Sequence, residues 1–209
     1  METKKSNYLI GIAGNIGSGK TTLTQKMASK LGWKPFFESV IDNPYLDVFY
    51  DDMKRWSFHL QIYFLAHRFR SQKLIMDARI NAIQDRTIYE DVEIFAKSLH
   101  MQGFMSARDY QTYRELFNDM VHFLKPPDLI IYLKSSVKTL ISHIQKRDRD
   151  FEKSISTDYL EKLNLAYNQW ISEAEEKYKI ITLNTDEVDI LNESDKFEQL
   201  VKKVREICP

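Results

Sequence analysis

A glycine-rich octapeptide near the start of the chain constrains its fold more than any other feature. The segment reads Gly-Asn-Ile-Gly-Ser-Gly-Lys-Thr and fits the pattern G-x-x-x-x-G-K-[ST]. It follows the apolar run 8–13 (YLIGIA), which has the length of a strand, and it precedes the segment 22–31, where Leu23, Met27 and Leu31 recur at helical spacing. A strand, a glycine loop and a helix in this order predict a phosphate-binding P-loop. A plain glycine-rich turn is the alternative, which the Lys-Thr pair and the flanking elements disfavour.

The residue types of this loop suit a nucleoside triphosphate. Glycines let successive backbone N–H groups point into the loop, where they and the helix N-terminus hold phosphate oxygens. We expect Lys20 to be exposed at this site and to reach the β- and γ-phosphates, and Thr21 to hold Mg²⁺ through its hydroxyl. The predicted ATP site is formed by Gly14, Asn15, Ile16, Gly17, Ser18, Gly19, Lys20, Thr21 and Thr22. The motif describes the phosphate donor site and leaves the acceptor open.

Length and charge exclude several classes of protein. The 209 residues are enough for one α/β domain, which we predict to span 1–209. Thirty basic and thirty acidic residues cancel, so no net field attracts a nucleic-acid polymer or an anionic membrane. The single cysteine, Cys208, suits a reducing compartment. Because the start 1–5 (METKK) is polar and the predicted strand behind it is short, we expect neither a signal sequence nor a membrane span there. We therefore expect a soluble, cytoplasmic protein.

Strand and helix patterns alternate along the chain. Strands are predicted at 8–13, 34–39, 82–84, 128–133 and 180–183. Helices are predicted at 22–31, 51–76, 88–100, 106–124, 136–146, 157–177 and 194–207. This order predicts an α/β fold, with a five-stranded parallel sheet covered by helices on both faces. Because ligands bind at the carboxyl ends of such strands, we expect Glu38, Asp85 and the P-loop to share one cleft.

Several further motifs follow the P-loop in order, and together they make the chain resemble the deoxynucleoside kinase family from the P-loop to about Trp170. The matching pieces are GNIGSGKTT at 14–22, Glu38, Tyr50, Trp56, Gln61, Arg68, DRTIYED at 85–91 and RDRDFE at 147–152. The phrases ESVIDNP, WSFHLQIYF and RDYQTYRELF are similar to those of bacterial deoxyadenosine and deoxyguanosine kinases. The resemblance implies a P-loop kinase fold with a short lid at about 147–152. It also implies a homodimer that uses ATP and Mg²⁺ to phosphorylate the 5′-hydroxyl of a deoxynucleoside, with deoxyadenosine preferred and deoxyguanosine second.

Glu38 is the candidate general base. Phosphoryl transfer to a hydroxyl needs a carboxylate that can accept the hydroxyl proton, placed opposite the P-loop. From its position alone, a salt-bridged surface glutamate would be about as consistent with the sequence. The resemblance assigns Glu38 the role of base, although Ser39 stands where many family members have proline.

Gln61 and Arg68 are candidate substrate-binding residues on the long helix. They lie about two helical turns apart and therefore project from the same side, with Leu65 between them. A side-chain amide offers a donor and an acceptor to a base edge, but a polar residue beside an apolar stripe is more often simply solvated. The resemblance places Gln61 against the nucleobase and Trp56 in the base pocket, and leaves Phe64 undecided between pocket and core.

The triplet Asp85-Arg86-Thr87 follows a predicted strand. Its acid and base point in different directions if the strand continues, so Asp85 can face Mg²⁺ beside Thr21 while Arg86 faces the acceptor hydroxyl. A solvated turn is the alternative. The resemblance further implies that Asp91 holds the base, directly or through an arginine. It also implies that Tyr50 and Glu152 contact the sugar 3′-hydroxyl.

Arg147 and Arg149 end a predicted helix. Cations are favoured at a helix C-terminus by the dipole, which alone would explain either residue. Two arginines in an acid-rich loop also suit a lid over ATP, because guanidinium groups bind phosphate oxygens in a planar fork. We therefore predict Glu38, Arg86, Arg147 and Arg149 as the catalytic residues. The family lid often carries a further arginine one helical turn earlier, where this chain has His143.

Two other functions remain open from the sequence. A nucleoside monophosphate kinase shares the P-loop, lid and fold, but its acceptor is already charged and needs no carboxylate base. A non-catalytic nucleotide-binding subunit of the same fold is the second. Such a subunit is expected to have lost Glu38, Asp85 or the lid arginines, all of which are present.

Overall fold

Five parallel strands form the centre of the molecule, in the order β2-β3-β1-β4-β5. The computed structural model describes residues 7–38, 43–187 and 194–209. The strands are β1 (Leu9–Gly14), β2 (Lys34–Phe36), β3 (Ala82–Asp85), β4 (Leu129–Lys134) and β5 (Ile180–Asn184). Every neighbouring pair is parallel, so the predicted five-stranded parallel sheet is confirmed.

The helices of the described residues connect these strands. They are α1 (Lys20–Leu31), α2 (Leu46–Phe49), α3 (Met53–Ala78), α4 (Ile88–Glu90), α5 (Lys97–Met101), α6 (Ala107–Val121), α7 (Val137–Arg147), α8 (Thr157–Ala174) and α9 (Ser194–Ile207). A π-helical segment, Asp91–Ala96, joins α4 to α5, and a 3₁₀ turn, Asp150–Glu152, follows α7. The longer helices agree with the predicted ones to within a few residues, whereas α2 and the π-helical segment were not predicted.

Apolar side chains cover both faces of the sheet. On one face α1 and α9 bury Leu23, Met27 and Leu200 against Ile10 and Ile131. On the other face, α3, α6 and α8 contribute to a second cluster that contains Leu65, Tyr113 and Tyr167. Parallel strands buried in this way need long apolar runs, which β1 and β4 supply. Within the described ranges, no helix is both long enough and apolar enough to cross a bilayer.

The second strand is shorter than the sequence predicted. It ends at Phe36, because this edge strand pairs only with β3 and its last paired residue is Phe36 opposite Gln84. Glu38 therefore lies beyond the strand rather than at its end, and its side chain turns toward Arg68 of α3 and toward Arg86, which follows β3. Ser39, where the family pattern often has proline, lies outside the described residues.

Candidate active site

One cavity lies at the carboxyl ends of β1 and β3, beside the residues that follow β2. The predicted site residues that line it are Ile16, Gly17, Lys20, Thr21, Glu38, Tyr50, Gln61, Arg68, Asp85, Arg86, Asp91, Arg147, Arg149 and Glu152. Residues from the P-loop, from α3 and from the lid thus meet in a single space. The expectation of one shared cleft is confirmed.

The glycines of the P-loop stand where a side chain would not fit. A Cβ on Gly14 would lie 2.5 Å from Ser18 Oγ and 2.9 Å from Leu133 O. A Cβ on Gly17, whose φ is +83°, would lie 2.8 Å from Leu140 O. Gly19 precedes α1 without a side-chain cap, so the first N–H groups of this helix stay available to an anion. This backbone is a cradle suited to phosphate oxygens.

Asn15 and Lys20 fix the shape of the loop. The Asn15 amide donates to Leu160 O at 3.0 Å and to Asn164 Oδ1 at 2.7 Å, which ties the P-loop to α8. Lys20 Nζ donates to Asn15 O at 2.8 Å, and the lysine is only 7% exposed. The expectation of an exposed Lys20 is therefore wrong, because the side chain folds back under its own loop. Burial and the nearby Arg86 lower the pKa of Lys20 to about 8.

Thr21 and Asp85 form the candidate metal site. Thr21 Oγ1 donates to Asp85 Oδ2 at 2.6 Å, while Asp85 Oδ1 is buried without a hydrogen-bond partner among the described residues. A hydroxyl and an unsatisfied carboxylate oxygen fit Mg²⁺, which binds proteins through one or two carboxylates and takes its other ligands from phosphates and water. In the described part of the chain no cluster of three acidic, histidine or cysteine side chains competes with this pair as a metal site.

Asp85 and Arg86 point to different sides, as predicted. Arg86 has φ +70°, a left-handed conformation that is uncommon outside glycine, and its N–H donates to Ile12 O at 3.0 Å. The guanidinium lies 4.4 Å from the centre of the Phe95 ring. Its Nε lies 3.4 Å from Glu38 Oε1. Arg86 therefore faces the candidate base while Asp85 faces Thr21.

Glu38 lies between two guanidinium groups. Its Oε1 forms an ion pair with Arg68 Nη2 in addition to the one with Arg86. Burial alone would raise the pKa of Glu38, but Arg68, Arg86 and Lys20 together lower this pKa below its ordinary value. The Glu38 carboxylate is consequently ionised at neutral pH and free of a proton of its own.

Arg68 connects Glu38 with the opposite end of the cavity. While its Nη2 pairs with Glu38, its Nε lies 2.5 Å from Asp91 Oδ2. Asp91 begins the π-helical segment, a type of distortion that often occurs at functional sites. Burial raises the pKa of Asp91 to about 6, against the lowering effect of Arg68. Asp91 thus lines the cavity itself and also contacts Arg68, so both routes that the resemblance implied, a direct one and one through an arginine, fit this geometry.

Gln61 and Phe64 are the other cavity residues of α3. Gln61 is 2% exposed, and its Oε1 is buried without a partner in the part of the chain that is described. Phe64, undecided from the sequence, lines the cavity with its ring 5.6 Å from the Arg68 guanidinium. Trp56 is not among the described lining residues, because its indole packs on Tyr45 at 5.8 Å between ring centres. An unpaired amide oxygen beside an aromatic wall suits a planar polar ligand.

The lid arginines converge on Glu152. Arg147 makes two contacts to this carboxylate, Nε to Oε2 at 3.0 Å and Nη2 to Oε1 at 2.5 Å, and Arg149 Nη1 lies 3.7 Å from Oε1. Glu152 is 5% exposed and lines the cavity, as does Tyr50. His143 Nδ1 donates to Gly17 O at 2.8 Å, so the residue in the position of a family arginine ties α7 to the P-loop.

Sequence reasoning did not identify three residues that support this site. Glu90 and Tyr167 are fully buried behind Arg86, and Asn164 holds Asn15. A signal for Glu90 was present, since Thr87-Ile-Tyr-Glu90 fits the capping-box pattern and does form one. Nothing local in the sequence marks Tyr167 or Asn164, because Arg86 and Asn15, the residues that they hold at this site, lie more than 70 residues away along the chain.

These elements define a P-loop domain in which a phosphate cradle and an ionised carboxylate face the same cavity. The deoxynucleoside kinase family model matches residues 10–209, and the chain belongs to that family. The family assignment made from the sequence motifs is thereby confirmed, as is the expectation of a deoxynucleoside kinase.

The chain is also similar to individual members along nearly its whole length. A deoxyadenosine/deoxycytidine kinase of Bacillus subtilis (strain 168) is 42% identical over 203 residues, covering 96% of this chain and 93% of the relative. A deoxyguanosine kinase of the same organism is 36% identical over 202 residues, covering 95% and 96%. The solved structure of a deoxyadenosine kinase from M. mycoides, with the products dCMP and a flexible dCDP bound, has 34% identity and a TM-score of 0.85, covering 95% of this chain and 99% of that one. The expected P-loop kinase fold is confirmed by this similarity.

Proposed function

We propose that this protein, as a single domain of residues 1–209 with a lid at about 147–152, transfers the γ-phosphoryl group of ATP to the 5′-hydroxyl of a deoxynucleoside. The products are the deoxynucleoside 5′-monophosphate and ADP. The observation that carries the proposal is the ionised Glu38 carboxylate, which shares its cavity with the P-loop lysine Lys20. A kinase acting on a charged monophosphate would not need this base.

The chemistry follows from the placement of charges. Glu38 accepts the proton of the 5′-hydroxyl while the hydroxyl oxygen attacks the γ-phosphorus of ATP. The bond from this phosphorus to the β,γ-bridging oxygen breaks, and ADP leaves. Lys20 and the P-loop N–H groups hold the donor phosphates. Arg86, beside Glu38, stabilises charge near the acceptor oxygen. Mg²⁺ held by Thr21 and Asp85 would neutralise charge on the phosphates.

The far end of the cavity recognises the nucleoside. Gln61 and the Arg68–Asp91 pair offer donors and acceptors to a base edge. Glu152 and Tyr50 face the position proposed for the sugar 3′-hydroxyl, and Phe64 rather than Trp56 supplies the aromatic wall. Because relatives named deoxyadenosine/deoxycytidine kinase and deoxyguanosine kinase are similar along nearly the whole chain, we propose deoxyadenosine as the first substrate and deoxyguanosine as the second.

A panel of nucleosides with Mg-ATP tests this selectivity. We expect deoxyadenosine, deoxyguanosine or deoxycytidine to be used well and thymidine poorly, because thymidine presents a different hydrogen-bond edge to Gln61 and adds a methyl group. A buried amide left unpaired costs about 1–3 kcal/mol, or roughly ten- to a hundredfold in kcat/KM. Ribonucleosides are expected to be poorer, because Tyr50 and Glu152 leave little room for a 2′-hydroxyl. Thymidine as best substrate would contradict the role of Gln61, and equal use of adenosine would contradict that of Tyr50 and Glu152.

The lid is tested by replacing both Arg147 and Arg149 with alanine. We expect kcat to fall much more than nucleoside affinity, because guanidinium contacts to the transferred group strengthen in the transition state. An arginine in such a role is worth on the order of 10³–10⁵ in rate. Replacing the exposed Lys146, the residue before Arg147 on α7, serves as the control for charge alone. Unchanged kcat in the double variant would leave Arg147 and Arg149 as a solvated helix end that only pairs with Glu152.

We also propose that the protein is a cytoplasmic homodimer. Its one cysteine, Cys208, is buried and unpaired, as suits a reducing compartment. Met101 and Leu165 are 76% and 69% exposed and line one groove, together with the oppositely charged Lys162 and Glu173. A surface that carries both signs of charge around apolar side chains can complement a second copy of itself. Light scattering that returned the monomer mass of 24.8 kDa at micromolar concentration would contradict a dimer.

A further inference from the structure

Two buried polar side chains lie between Arg86 and the P-loop. They are Glu90 of α4 and Tyr167 of α8, and both are fully buried. Neither Glu90 nor Tyr167 is among the described residues that line the cavity, so a substrate in the cavity would not contact them. The proposed transfer chemistry does not use them either.

Glu90 receives hydrogen bonds from several parts of the chain. Its Oε1 accepts from the Gly14 N–H at 3.2 Å and from the Tyr167 hydroxyl at 2.8 Å. Its Oε2 accepts from the N–H and the hydroxyl of Thr87 at 2.7 and 3.2 Å. Arg86 Nη1 lies 3.6 Å from Oε1. Four donors and one cation compensate a buried carboxylate, which would otherwise be costly to bury.

Tyr167 completes the connection to Arg86. Its hydroxyl accepts from Arg86 Nη1 at 2.6 Å while it donates to Glu90. Burial raises the pKa of Tyr167 well above its ordinary value, against a lowering effect of Arg86, so the hydroxyl keeps the proton that it donates. A continuous chain of hydrogen bonds therefore runs from the Arg86 guanidinium through Tyr167 and Glu90 to the first glycine of the P-loop.

The residues at both ends of this series of hydrogen bonds take part in the proposed reaction. Gly14 begins the cradle for the donor phosphates, and Arg86 contacts Glu38 on the acceptor side. A preorganised charge needs no reorganisation during the reaction, and a shift of about 1 Å in a reacting group can cost about a hundredfold in rate. The Tyr167 ring is itself held in place by the Tyr132 ring, which stacks on it at 5.7 Å between ring centres.

We propose that Glu90 and Tyr167 are positioning residues, which hold the Arg86 guanidinium at a fixed position relative to the P-loop before either substrate binds. This inference rests on the proposed function, because it assumes that Arg86 acts in phosphoryl transfer. Glu90 binds the backbone of β1 at Gly14, and the Tyr167 hydroxyl links Glu90 to the side chain of Arg86.

Tyr167→Phe isolates the connection, because it removes one oxygen and keeps the stacked ring. We expect kcat to fall about ten- to a hundredfold, with KM for nucleoside and for ATP within about threefold of wild type. Tyr132→Phe is the matched control, since Tyr132 lies in the same stack and takes no part in the hydrogen bonds described above. Its kcat is expected to stay within about twofold of wild type, because the substitution keeps the stacked ring and removes none of these hydrogen bonds. A wild-type kcat in Tyr167→Phe, or an equal loss in Tyr132→Phe, would overturn the proposal.

A double-mutant cycle separates positioning from general damage. If Tyr167 acts through Arg86, Tyr167→Phe is expected to lower kcat by less than about twofold in an Arg86→Ala background. The same fractional loss in both backgrounds would show that Tyr167 acts independently of Arg86. A wild-type kcat in Arg86→Ala alone would instead overturn the role of Arg86 in the proposed transfer.

A readout without turnover tests the geometry directly. The side-chain Nε–H resonance of Arg86 can be assigned by its absence in Arg86→Lys. We expect it to be sharp in the wild-type protein and in Tyr132→Phe, and shifted or broadened in Tyr167→Phe. An unchanged resonance in Tyr167→Phe would overturn the proposal even if kinase activity were confirmed, and the expected change would support it whichever nucleoside proved to be the substrate.

Discussion

Replacing Glu38 with glutamine is expected to lower kcat by about 10²–10⁴, the usual contribution of a positioned acid or base. The amide keeps the shape of the side chain but cannot accept the proton of the 5′-hydroxyl. Nucleoside binding is expected to stay within a few-fold, because the proposed base and sugar contacts come from other cavity residues, on α3, at Tyr50, at Asp91 and at Glu152. Steady-state kinetics with deoxyadenosine and Mg-ATP measure both quantities.

Glu152→Gln is the matched control, since Glu152 is a second carboxylate that lines the same cavity. It is expected to raise KM for the nucleoside more than it lowers kcat, because its proposed contact is with the sugar. If Glu38→Gln changed only KM, Glu38 would be a binding residue.

The pH dependence of kcat/KM provides a further check on Glu38. Because the pKa of Glu38 is lowered, the loss of kcat/KM caused by its protonation is expected at acidic pH, below the ordinary range of a glutamate.

Lys20→Met is expected to abolish measurable phosphoryl transfer while the protein stays folded. The lysine is the buried cation of the phosphate cradle, and methionine replaces its length but not its charge. Its pKa is lowered in the folded protein, so keeping the ammonium charged there disfavours folding at neutral pH. Removing that charge is therefore expected to leave the unfolding temperature unchanged or slightly higher, although the Asn15 carbonyl loses its donor.

Lys30→Met supplies the comparison on the same helix. Lys30 pairs with Glu198 at 2.6 Å on the surface, and such pairs contribute about 0–1 kcal/mol to stability. Its kcat is expected to equal that of the wild-type protein. If Lys20→Met kept turnover near the wild-type rate, the donor phosphates would bind somewhere other than the P-loop.

The predictable parts of the site were those carried by contiguous motifs. The P-loop and the triplet at Asp85 each begin at the last residue of a strand, and parallel strands bring their carboxyl ends to one edge of the sheet. Two motifs far apart in the sequence could therefore be placed in one cleft without any knowledge of side-chain packing. The helical spacing of Gln61 and Arg68 likewise placed both on the same side of α3.

The spacing of residues on a helix predicts the direction in which a side chain projects, but not how deeply it is buried or what it contacts. The features of the site that the sequence did not predict depend on these contacts. Trp56 and Phe64 both belong to α3, but Trp56 packs on Tyr45 whereas Phe64 lines the cavity, and helical spacing alone does not distinguish these two outcomes. The ion pair from Arg68 to Glu38 depends on where β2 ends, which is determined by its pairing with β3. Lys20 was expected to be exposed as part of the phosphate site rather than of the core, but it is buried and donates to the Asn15 carbonyl of its own loop.

The central claim is that an uncharged deoxynucleoside is the phosphoryl acceptor. Its most direct test is a paired assay of the purified protein with Mg-ATP, using deoxyadenosine in one reaction and deoxyadenosine 5′-monophosphate in the other, with products identified by mass and phosphorus NMR. We predict that deoxyadenosine gives the 5′-monophosphate together with one equivalent of ADP, and that the monophosphate is not converted to the diphosphate. Formation of diphosphate from the monophosphate, with no reaction of deoxyadenosine or any other deoxynucleoside, would contradict the account and identify a nucleoside monophosphate kinase.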